Sequence, residues 1–139
     1  MKVDYKTITI NLRDIIKTAN VKVFVGNPDV IPITANEFPC VVISLDNKKE
    51  EITHLGANRR QIEIVYKLFV LTRYINYEKT LNDLLELVDN IEEILRNNLT
   101  INNSVNYHNL ETTEFGIAAK ENTFLLGAII TLKAIKQIQ

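Results

Sequence analysis

The stretch from Arg60 to Tyr74 alternates with period two, and this alternation limits the fold more than any other feature of the chain. Successive side chains of a strand point to opposite faces, so Ile62, Ile64, Tyr66, Leu68 and Val70 form one apolar face. The other face reads Gln61, Glu63, Val65, Lys67, Phe69, Leu71 and Arg73, apolar in the middle and charged at both ends. The first face needs an apolar layer packed on it. The second carries more apolar surface than a solvated sheet face tolerates.

The neighbouring segments supply that layer. Tyr5, Ile8, Leu12, Ile15, Ile16 and Ala19 fall on one side of a helix, which predicts an amphipathic helix from Tyr5 to Ala19. Residues 7–12 also alternate with period two, so a short strand at the front is the competing reading. Asn76 is a suitable cap for a second helix from Tyr77 to Asn97. Its stripe is Leu81, Leu84, Leu85, Val88, Ile91 and Leu95, widened by Leu87 and Ile94, and its opposite face carries Asp83, Glu86, Asp89 and Glu93. Strands are expected at Val21–Val25, Cys40–Leu45 and Thr123–Lys136, with a weak one near residues 104–115 after an Asn-rich stretch. On the last strand Phe124, Leu126, Ala128, Ile130, Leu132 and Ala134 share the core face. Pro28, Pro32 and Pro39 place an extended surface loop at 26–39, and Asp46–Glu51 reads as a charged break within a mobile hairpin tip over 46–60.

The predicted order is therefore α-β-β-β-α-β-β: one α+β domain spanning residues 1–139, with two helices packed on a mainly antiparallel sheet. A chain of this length buries enough surface to fold without crosslinks. Net charge is −1, from 16 basic and 17 acidic residues, and 46% of residues are hydrophobic. That balance argues against a disordered tail, a supercharged nucleic-acid module and a membrane protein. Cys40 is the single cysteine, which excludes an internal disulfide and points to a reducing cytoplasm. The start has no apolar signal core, so the glycosylation patterns at Asn98 and Asn102 have no compartment in which to act.

The sequence carries no recognisable catalytic or ligand-binding motif. Gly26, Gly56, Gly116 and Gly127 are too scattered to cradle a phosphate. His54, His108 and Cys40 lack metal-site spacing, and neither Ser44 nor Ser104 lies in a nucleophile turn. Cys40 opens an apolar strand, where a cysteine is a buried small hydrophobe without functional thiol chemistry. Lys2, Lys6, Arg13, Lys17 and Lys22 outnumber Asp4 and Asp14, which suits at most an acidic docking partner. Neither a cofactor nor catalysis is expected.

Two helices cover one face of a sheet, yet Val65, Phe69 and Leu71 on the long strand and Leu125, Ile129 and Ile135 on the last strand place apolar groups on the other. Either a partner covers that face, most simply another copy, or the sheet curls and buries it. The element order, with Val23-Phe24-Val25-Gly26, the loop ending Phe38-Pro39-Cys40-Val41-Val42-Ile43, the long strand, the 77–97 helix and the closing strand, resembles the tail terminator proteins of long-tailed bacteriophages. The resemblance covers nearly the whole chain and is one of lengths and elements; related head-closure and neck proteins look similar at this level.

The resemblance implies a non-enzymatic virion protein of the head–tail junction, made in the host cytoplasm. It implies a hexameric ring that ends tail-tube polymerisation, contacts the tail tube protein and a head-completion or neck protein, and lets DNA pass without sequence-specific binding. On that reading Val65, Phe69, Leu71, Leu87, Ile94 and Ile129 are interface candidates, and Asp83, Glu86, Asp89 and Glu93 are candidates for an acidic lumen. A small ferredoxin-like ligand-binding regulatory domain, dimerising through its sheet, is the alternative.

Overall fold

The computed structural model describes residues 3–54, 59–120 and 123–138. Helix α1 spans Tyr5–Lys17 and is followed by β1 (Lys22–Val25), β2 (Cys40–His54) and β3 (Arg59–Arg73). Helix α2 spans Tyr77–Arg96, and β4 (Tyr107–Lys120) and β5 (Thr123–Ile138) close the chain. The strands form a five-stranded sheet in the order β1-β2-β3-β5-β4. The α+β class and element order follow the sequence expectation; the sheet is mixed, because β1 runs parallel to β2 while the other pairs are antiparallel.

Local chemistry explains both helices. Asp4 caps α1, accepting from the Thr7 backbone N–H at 3.1 Å and the Thr7 hydroxyl at 2.7 Å. The helical reading of residues 7–12 prevails over the strand reading because Ile8, Leu12, Ile15 and Ile16 all become buried on one stripe. Asn76 caps α2 by accepting from the Lys79 N–H at 2.9 Å. Both helices pack on the even-numbered face of β3, where Ile64, Tyr66, Leu68 and Val70 are fully buried. Thr9 joins α1 to that face: its hydroxyl donates to the Tyr5 carbonyl at 2.8 Å and so accepts from the Tyr66 hydroxyl at 2.9 Å.

After α2 the chain turns through three successive left-handed residues, Ile101, Asn102 and Asn103. Asparagine tolerates that region, but a β-branched isoleucine does so only under strain. Complete burial of the Ile101 side chain in the main core offsets the cost.

Three expectations need correction. The charged run Asp46–Glu51 is no break: β2 continues through it, paired with β3 from Cys40↔Leu71 to His54↔Arg59. The side chains of residues 45–52 are exposed on both faces of β2, and there charged side chains fit a strand as well as a turn. Lys49 pairs with Glu51 at 2.7 Å, and Arg60 lies 3.8 Å from Glu50. Of the expected tip, residues 46–54 and 59–60 lie in β2 and β3, and residues 55–58 lie outside the described residues. The weak strand at 104–115 is instead the full-length partner of β5, from Tyr107 to Lys120, with a bulge between Leu110 and Thr112. Finally, the loop at 26–39 does not simply face solvent. Parallel strands need a crossover, and this one passes over the second sheet face, where Ile33 joins Cys40, Val42, Leu71 and Leu125 in a buried cluster flanked by Phe24, Ile31, Phe38 and Phe69.

Candidate assembly surface

The second sheet face changes character along its length. At the loop end, Leu71 and Leu125 are buried within the chain itself at 8% and 2% exposure. Leu71 is therefore a core residue and not an available interface residue, because the crossover supplies the cover that a partner was expected to provide. Ile135, the other apolar group expected on this face, is also buried. Val65, Phe69 and Ile129 remain half-buried in the middle of the face, and the register sets Phe69 directly beside Ile129.

Beside them is a concave groove of about 470 Å³, with Phe69, Leu71, Gly127 and Ile129 on the sheet, Pro28 on the loop side and Gly116 on β4. Gly127 keeps the groove low: a Cβ there would lie 3.1 Å from both Leu71 Cδ2 and the Val70 carbonyl oxygen. Toward the β2–β3 turn the face becomes ionic. Lys133 Nζ lies 3.0 Å from Glu111 and 3.7 Å from Glu63, and Lys67 donates to the Thr131 hydroxyl at 3.2 Å. The hydrogen bond and charge of Glu111, with the charge of Glu63, hold the Lys133 ammonium above the ordinary lysine pKa. The result is a small apolar centre between a covered end and a charged end, the composition of an interface core with a polar rim.

The remaining interface candidates are not brought to this face. Leu87 and Ile94 project from α2 and pack, partly buried, against the main core on the helix side. Asp83, Glu86, Asp89 and Glu93 are all exposed on the outward side of the same helix. Six acidic side chains stand against two basic ones within α2, so this surface is strongly negative. Glu92 is set apart from that group: it accepts from the Thr113 hydroxyl at 2.8 Å and from Arg96 at 3.0 Å, tying the helix to β4.

The sequence reading missed one surface. Phe115, Ile117 and Phe124 are 50%, 61% and 65% exposed, all on the helix-side face of the β4–β5 hairpin where neither helix reaches. Phe124 was expected in the core with Leu126 and Ala128; alternation assigns its face correctly, but cover ends before it. The signal for Phe115 and Ile117 was available in the apolar run Phe115–Ala119, which the truncated strand assignment left out.

Chemistry elsewhere is sparse. Among the described residues no group of His, Cys, Asp and Glu is placed to hold a metal ion, and no helix is long and apolar enough to cross a membrane. Cys40 is buried in the second cluster. His108 is buried, its Nδ1 2.9 Å from the carbonyl oxygen of Leu99 in the turn after α2, and burial lowers its pKa despite that bond. The sequence matches no family model, and no curated protein matches it.

Proposed function

We propose that this chain is a structural ring subunit of the tail-terminator kind, without enzymatic activity, that caps the head-proximal end of a phage tail tube as a hexamer. The observation that carries the reading is the second sheet face, with Val65, Phe69 and Ile129 half-exposed between a loop-covered end and an ionic end. A face of that composition suits a subunit contact. Each copy in a cyclic ring presents two different surfaces to its neighbours. The negative outer side of α2, with Asp83, Glu86, Asp89 and Glu93, suits a channel that repels DNA phosphates. Its partners on this reading are the tail tube protein on one side and a head-completion or neck protein on the other, within the virion.

The test is native mass spectrometry across a concentration series, with and without polymerised tail tubes, on the wild type and on Phe69→Asp and Ile129→Asp. On the tubes the wild type should reach a sixfold multiple of 15.9 kDa. Both variants should fold and fail to close the ring, because an unpaired carboxylate buried in a contact costs several kcal/mol. Rings formed normally by both variants would remove this face from the assembly.

A further inference from the structure

We propose that the outer edge of β4 is a self-complementary docking strand for a second copy of this chain, pairing antiparallel about Ile117. The inference goes beyond the ring reading and does not rest on it. An isologous pair joins the same patch of two copies, whereas a polar ring joins two different patches, so the edge pair is a contact of a different kind from the ring contact.

Among the described residues β4 is the terminal strand of the sheet and pairs with β5 on one side alone. Long edge strands in soluble proteins are usually blunted by charge, proline or a bulge. Here the bulge lies at Leu110/Thr112, and the segment beyond it, from Glu114 to Lys120, holds an uninterrupted register with β5. Its interior, Phe115-Gly116-Ile117-Ala118-Ala119, contains no charge and no proline.

Antiparallel self-pairing about residue 117 uses every part of that segment. Glu114 of each copy falls opposite residue 120 of the other, which is a lysine, so the two ends of the pairing are closed by opposite charges. On the helix-side face Ile117 meets the partner's Ile117. Phe115 falls opposite the partner's Ala119, and Phe124 already stands beside Ala119 within its own hairpin. The three exposed side chains Phe115, Ile117 and Phe124 would thus form one apolar strip across the dimer. On the opposite face Gly116 and the small Ala118 lie between the charged ends, and a Cβ at Gly116 would meet nothing within 4 Å, so that face is open at Gly116. Slipping the register by one residue loses both charge pairs and the Ile117 contact together.

The experiment is gel filtration with light scattering over a concentration series on the wild type, Glu114→Lys, Lys120→Glu and an equimolar mixture of the two variants, with circular dichroism as the check on folding. The wild type should dimerise. Each variant alone places like charges at both ends of the pairing and should dimerise on the order of tenfold more weakly. In the mixture every like pair becomes an opposite pair, so the heterodimer should recover wild-type affinity. A wild type that stays monomeric throughout, single variants that dimerise normally, or a mixture that fails to recover each overturns the proposal. A hexamer indifferent to both charge changes overturns it too, while leaving the ring reading in place.

Discussion

Truncating Ile33 to alanine tests whether the second sheet face is covered by the chain's own crossover. Ile33 is 6% exposed and stands at the centre of the cluster formed with Cys40, Val42, Leu71 and Leu125. The substitution removes three buried carbons, each worth about 0.8 kcal/mol on transfer from water, for a loss of about 2.4 kcal/mol. A rigid void would add about 24 cal/mol per Å³, but a loop settles onto its support more readily than a core strand does. The expected loss is therefore about 2–3 kcal/mol, read from urea unfolding as a lower midpoint with an unchanged slope. Val30→Ala is the internal control: Val30 belongs to the same loop but is 77% exposed, and its truncation should stay within about 0.5 kcal/mol. If Ile33→Ala proves as mild as Val30→Ala, the loop does not clamp the sheet and the face lies open along its whole length. The interface would then regain Leu71.

Two more predictions concern the helix side. Tyr66→Phe should cost about 1 kcal/mol, since the Thr9 hydroxyl keeps its bond to the Tyr5 carbonyl, whereas Thr9→Val strands the buried Tyr66 hydroxyl and should cost about 1–3 kcal/mol; equal costs in urea unfolding would show that the Tyr66 hydroxyl finds another partner. Burial lowers the pKa of His108, so the unfolded chain binds a proton that the folded chain refuses once pH drops below about 6.5. The stability from neutral His108 is complete above that value and is lost as pH falls through the lowered folded pKa. Urea midpoints of the wild type should therefore drop more between about pH 7.5 and about pH 5 than those of His108→Gln, and equal drops would refute a buried neutral imidazole.

Periodicity determined most of the element list. The rotation per residue is a local property, so the even face of residues 62–70 and the stripe from Leu84 to Leu95 were legible without knowing what they touch. The cap at Asn76 was equally local. The ends of strands were not, because pairing is settled by residues far away in the chain. Lys49 continues a strand because Glu63 stands opposite it, and Phe115–Ala119 becomes strand because residues 124–128 do.

Cover was the other quantity that only the tertiary structure decided. Alternation placed Leu71 and Phe69 together on one face, yet one is buried and the other half-exposed, because the crossover between β1 and β2 ends between them. Phe124 and Leu126 likewise share a face and differ in fate, since the helices protect only the second. A sequence states which side a residue faces through the geometry of its own strand; what lies over that side depends on how far a helix or loop from elsewhere in the chain extends across the sheet.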